Sequence, residues 1–127
     1  MEWVFRNDLP IYSQLVDRIK LGIVSGALPP GARLASVREM ATEAGVNPNT
    51  MQRALQELER EGMVYSQRTA GRFVTEDVHL IERAKRAFAA EHIKLFLDGM
   101  EKLGYDREEI LSLLQEKEED AHGNSGM

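Results

Sequence analysis

The sequence predicts a mainly α-helical fold of the α+β class, in which three N-terminal helices are closed by a β-hairpin and followed by a separate pair of helices. Three observations carry this. Two short helical segments meet within about three residues around Gly45, each preceded by a polar capping residue, which is the spacing of a helix-turn-helix. Two stretches rich in Val and aromatics follow at once, around a turn over 67–71. From residue 78 to 103 the apolar residues keep a helical period.

Residues 10–25 read as a helix: Pro10 suits its first position, Ile11, Leu15, Ile19 and Ile23 recur every four residues, and Gly26 can close it in a left-handed conformation. Leu28-Pro29-Pro30-Gly31 is a turn, and a short extended piece is expected around Arg33-Leu34. Ser36 and Glu39 form a capping box that opens a short second helix carrying Val37, Met40, Ala41 and Ala44, which Gly45 ends. Asn47 then caps a third helix with Pro48 at its first position and Val46 able to staple onto Met51. Its buried stripe is Met51, Ala54, Leu55 and Leu58, and Gly62 stops it. Residues 63–66 and 72–75 are the expected strands of the hairpin. Three helices and such a hairpin make a winged helix-turn-helix.

The long helix to Leu103 carries Leu80 or Ile81, Ala84, Phe88, His92 or Leu95, Phe96, Met100 and Leu103, and Gly104 closes it. Asp106 and Glu109 form a second capping box before a last helix with Ile110, Leu111, Leu113 and Leu114. Two such helices bury little against each other, so their apolar stripe is expected to meet a partner. The expected dimerisation residues are Leu80, Ile81, Ala84, Phe88, Leu95, Phe96, Met100, Leu103, Ile110 and Leu114. Expected boundaries are 1–77 for the winged domain, 78–116 for a two-helix dimerisation region, and 117–127 for a disordered tail without periodicity.

Composition narrows the function. There is no Cys, the first residues lack the basic start and apolar run of a signal peptide, and no apolar stretch spans a membrane, so a cytoplasmic protein is expected. No nucleophile elbow or phosphate-binding glycine run is present, and His79, His92 and His122 lack ligand spacing, so neither an enzyme nor a metal or cofactor site is expected. The net charge of −5 argues at first against a polyanionic partner. Its distribution weakens that argument: residues 28–75 hold six Arg against five acids, while the segment after residue 77 holds seven basic against eleven acidic residues.

Several runs resemble one family. Pro10-Ile11-Tyr12-x-Gln14-Leu15, Gly26-x-Leu28-x-Pro30-Gly31-x-x-Leu34-x-Ser36-x-Arg38-x-Met40-Ala41, Gly45-Val46-Asn47-Pro48-Asn49-Thr50-Met51-x-Arg53-Ala54, Leu58-x-x-x-Gly62 and Gly71-x-Phe73-Val74 resemble the GntR family of bacterial transcription regulators. The Val-Asn-Pro-Asn-Thr run and the short two-helix C-terminal part look like the YtrA-type subfamily. The resemblance implies a sequence-specific DNA-binding regulator, a repressor, that binds double-stranded DNA at a pseudo-palindromic operator as a homodimer. It leaves no room for the larger effector domain of other members; a small-molecule effector is left open, with no residue pointing to one. Ala35 and Thr69 depart from the family, which usually has Pro and Gly at those places. A wing Gly lets the backbone approach the minor groove, which Thr69 puts in question.

If the third helix enters the major groove, Asn47, Asn49, Thr50, Gln52 and Arg53 face base edges, with Asn47 consumed as the cap. Arg38 matches the family position that contacts the operator. Tyr12, Ser36 and the helix N-termini suit phosphates, and Arg68, Thr69, Gly71 and Arg72 make the wing. Blander roles compete: Arg38 beside Glu39 or Glu43, Arg53 paired with Glu57 four residues on, Arg68 and Arg72 keeping a hairpin soluble, Trp3 and Phe5 as packing residues. The alternative function is a winged-helix protein-interaction module that does not bind DNA; a fragment of a longer fused enzyme is a third reading.

Overall fold

The computed structural model describes residues 1–125 in two units, Met1–Ala87 and the stretch beginning at Phe88. Its elements are α1 (Ile11–Val24), α2 (Val37–Ala44), α3 (Pro48–Arg60), β1 (Val64–Gln67), β2 (Gly71–Val74), α4 (Val78–Lys102) and α5 (Arg107–Ser125). The unit boundary lies inside α4 rather than at residue 77. Asp77 caps α4 by accepting from the His79 and Leu80 amides, each at 3.1 Å. One turn in, Leu80 comes so near Gly62 that a β-carbon there would sit 3.3 Å from it, so the start of α4 belongs to the first unit.

In the first unit α3 packs against both α1 and α2. Leu15, Ile19 and Ile23 of α1 are buried as their spacing predicts, together with Val16 and Val24, whereas Ile11 lies at the exposed edge of the stripe. Met51, Ala54, Leu55 and Leu58 of α3 are buried, and Met63, Val64 and Val74 close the core beneath the hairpin. Each fully buried Leu or Ile contributes about 1.5–3 kcal/mol, so this cluster drives the fold. Gly22 lets α1 pack closely, since a β-carbon there would come within 3.1 Å of Leu28.

Both strands begin and end one residue away from their expected limits. The Met63 amide is already used by the Leu58 carbonyl at 2.9 Å, closing the end of α3, so β1 starts after it. The hairpin pairs Val64 with Val74 and Ser66 with Arg72 in antiparallel register. The expected extended piece is present as a third, single-bridge neighbour: Arg33 opposes Phe73, Leu34 donates to the Arg72 carbonyl at 2.9 Å, and Val74 donates to the Ala32 carbonyl at 2.8 Å. Before α1, the N-terminal arm lies along that helix. Gln14 clamps it, accepting from the Arg6 amide at 2.7 Å and donating to the Arg6 and Leu9 carbonyls. Trp3 and Phe5 stack within the arm as packing residues.

In the second unit Asp106 and Glu109 form the expected capping box, each accepting from the other's amide, at 2.8 and 3.1 Å. Ile110 is buried. Helix α5 runs past residue 116 to Ser125, over most of the stretch expected as a tail from 117; Gly126 and Met127 lie outside the described residues. Glu116, Lys117, Glu118 and Glu119 are good helix formers with no proline among them, so an acidic run that reads as a solvated end also propagates a helix. No helix among the described residues is long and apolar enough to cross a membrane.

Candidate nucleic-acid interface

The N-terminal turns of α2 and α3 set the polar surface of the first unit. Ser36 accepts from the Glu39 amide at 3.1 Å and donates its own proton to the Glu39 carboxylate at 3.0 Å, so the box closes through the hydroxyl rather than the Ser36 amide. Asn47 accepts from the Asn49 amide at 2.7 Å and is consumed as the cap, as expected. With Met51, Ala54 and Leu55 inward, Asn49 and Arg53 are exposed, and Thr50 and Gln52 lie at the margin.

The arginines separate into two groups. Arg53 does not pair with Glu57; its guanidinium carbon lies 4.1 Å from the ring centroid of Tyr12 on α1, a cation–π contact, and it has no carboxylate partner among the described residues. Glu57 is taken by Arg60 at 2.5 Å, and that hydrogen bond holds the Glu57 carboxyl below the usual range. Lys20 of α1 pairs with Glu61 at 2.6 Å. Arg72 is tied inward, donating from Nε to Glu59 at 2.5 Å and from Nη1 to Gln52 at 3.4 Å. Arg33, Arg38, Arg53 and Arg68 have no ion-pair partner among the described residues, and all four are exposed.

This sorting resolves the near-neutral count over 28–75. Three of its five acids, Glu57, Glu59 and Glu61, are matched by cations, and two of those cations, Arg60 and Arg72, are among the six arginines; four arginines remain free to meet an anion. Arg38 is exposed and makes no ion pair with Glu39 or Glu43. Arg72, by contrast, is a tether within the protein and not a free wing cation. Arg33 was not singled out by the sequence, because the signal is a strand bridge formed across residues far apart: it lines a cleft with Ser36, Val37, Gly71 and Arg72.

The wing tip carries Arg68 and Thr69. Thr69 takes a φ of 68°, the only positive φ outside glycine among the described residues, and its hydroxyl turns back onto the Arg68 carbonyl. Gly71 serves the turn itself: its φ of 109° favours glycine, and a β-carbon there would come 3.2 Å from Arg33 Nε.

The expected dimerisation residues divide as well. Leu80, Ile81, Ala84, Phe88 and Met100 are half-buried. Leu95, Phe96, Leu103 and Leu114 are exposed in the single chain, Leu103 to 73%. Ile110 is 2% exposed, so it belongs to the packing of its own unit and not to a surface. Ile93 and Leu111, outside the expected dimerisation set, are exposed as well.

Comparison with known proteins bears on this arrangement. The sequence pattern of the family described as bacterial regulatory proteins, gntR family, matches residues 11–74, from α1 through the end of the wing. The chain belongs to the GntR family. It is similar to the HTH-type transcriptional repressor YtrA of Bacillus subtilis, 33% identical over 120 residues that cover 93% of this chain and 92% of the relative. A solved GntR family transcriptional regulator from Listeria monocytogenes superposes with a TM-score of 0.80 at 39% identity, covering 88% of this chain and 98% of that one. The DNA-binding domain of AraR, solved in complex with operator ORX1, superposes with a TM-score of 0.54 at 28% identity over 59% of this chain and 96% of that one. The protein is thus a GntR-family winged-helix DNA-binding transcription regulator of the short, YtrA-like kind, with α2 and α3 as its helix-turn-helix and the β1–β2 hairpin as its wing.

Proposed function

We propose that this GntR protein is a cytoplasmic, non-enzymatic repressor that binds a pseudo-palindromic operator as a homodimer. The observation that carries the DNA-facing part is that Arg38, in the first turn of α2, and Arg53, on α3, are exposed and make no ion pair, while Glu57, Glu59 and Glu61 are paired with Arg60, Arg72 and Lys20. In this reading Asn49, Thr50, Gln52 and Arg53 meet base edges, where a good bidentate pair discriminates by about 1–3 kcal/mol. Arg38 contacts the operator, and Ser36, Tyr12, Arg33 and Arg68 lie along the phosphates. Asn47 supports the others as a cap, and Thr69 and Gly71 set how near the wing comes.

Dimerisation through the second unit rests on Phe96 and its exposed apolar neighbours, which a single chain leaves in water. The repressor role rests on the similarity to YtrA. A twofold dimer requires half-sites about one helical turn apart. Selection of bound sequences from random DNA with the purified protein tests the reading: an inverted repeat with that spacing is expected, and binding that falls steeply with salt. No sequence preference and a flat salt response would overturn it.

A further inference from the structure

Glu59 is an acid on the recognition helix of a DNA-binding protein, where bulk electrostatics alone would oppose a phosphate backbone. Its Oε1 accepts from two donors on different strands, Ser66 Oγ at 2.5 Å and Arg72 Nε at 2.5 Å. Ser66 and Arg72 are direct partners across the hairpin, so one carboxylate grips both strands of the wing at the same rung. The grip is partly shielded, with the Arg72 side chain 19% and the Glu59 side chain 31% exposed. Bonds to an ionised acceptor are about twice as strong as neutral ones. Two further bonds extend it. Arg72 Nη1 reaches Gln52 Oε1 at 3.4 Å, toward the reading end of α3, and the Arg72 carbonyl accepts from the Leu34 amide at 2.9 Å, in the segment that leads into α2.

Nothing else of this kind joins the wing to the helix: Arg68 and Thr69 at the tip reach no group on α3 among the described residues. The backbone ladder holds β1 to β2, and the Met63 amide ties the start of β1 to the Leu58 carbonyl; beyond that point the hairpin is held against the helix by side chains of the core and by this carboxylate. We propose that Glu59 is a positioning residue for operator binding: it fixes the wing against the recognition helix through Ser66 and Arg72, and it keeps Arg72 from the phosphates. The proposal rests on the reading of α3 and the wing as the DNA-facing elements.

The sign of the effect separates this from simple charge. Glu59→Ala and Glu59→Gln each remove one negative charge, but only Gln keeps an oxygen that can accept from Ser66 and Arg72. In the full-length protein, Glu59→Ala is expected to bind the selected operator about tenfold more weakly and to speed hydrogen exchange of the amides over 64–74, measured without DNA. Glu59→Gln is expected to restore most of both. Equal and tighter binding by the two variants would mean that charge alone matters and would overturn the proposal, as would parental affinity and parental exchange in Glu59→Ala. Should Glu59→Ala not fold, Ser66→Ala keeps every charge and is expected to loosen the wing and weaken binding about threefold; no change in either measurement overturns the proposal. A parent protein with no preferred DNA sequence overturns the DNA-facing reading instead, and the exchange data still report on the clamp.

Discussion

The two units place their apolar residues in opposite ways. In the first unit Leu15, Ile19, Met51, Leu55 and Leu58 are sealed from water, and the polar groups around them are paired across elements, Lys20 with Glu61 and Arg72 with Glu59. In the second, Ile110 alone among the described large apolar residues is buried, while Ile93, Leu95, Phe96, Leu103, Leu111 and Leu114 lie exposed. The first unit, the head, is complete as a single chain. The second leaves its apolar residues in water as a single chain, the observation on which the proposed dimer contact rests.

The largest effect is expected from Phe96→Glu. A charge in the proposed dimer seam would be left without water or counter-charge, so sedimentation should find a monomer. Operator affinity should fall by at least about 100-fold, because joining two half-site events raises avidity by roughly 10²–10⁴. An unaltered dimer would refute the seam. The same substitution should leave the head folded, since residue 96 lies outside the first unit.

Arg38→Ala probes the head alone and is expected to do the reverse. Arg38 is exposed and unpaired, so thermal stability should change by no more than about 0.5 kcal/mol. Affinity for the operator should drop more than tenfold, about 1.4 kcal/mol, read by a binding titration at fixed salt. Unchanged affinity would remove Arg38 from the interface.

What could be read from the sequence was local. The Ser36, Asn47 and Asp106 caps, the left-handed Gly45 and the buried faces of α1 and α3 all follow from spacings within a few residues, and each stands where those rules put it. The arginine partners were not legible for the opposite reason. The i,i+4 rule offers Glu57 to Arg53, yet Arg60 takes it at i,i+3 once α1 brings Tyr12 across α3 to hold Arg53. Arg72 reads as a free wing cation until the hairpin register sets Ser66 opposite it and Glu59 beneath both. Packing between elements decided which charges stay available, and no one-dimensional pattern carries that information. The length of α5 escaped for a simpler reason, because Glu-rich helix and Glu-rich tail share a composition.

Thr69 gives the smallest effect and a finer test of the head's rigidity. A β-branched residue at a φ of 68° carries a local cost of about 1–2 kcal/mol. Glycine removes that cost but also loses the hydroxyl bond to Arg68 and adds freedom to the unfolded chain worth roughly 0.5–1 kcal/mol. The net for Thr69→Gly is a gain below about 1 kcal/mol, seen as a Tm rise of a few degrees for a head of this size. Operator affinity should shift by less than about threefold if Glu59 sets the wing's placement from its base. A larger gain in affinity would mean that the threonine side chain, and not the clamp, limits how closely the wing approaches DNA.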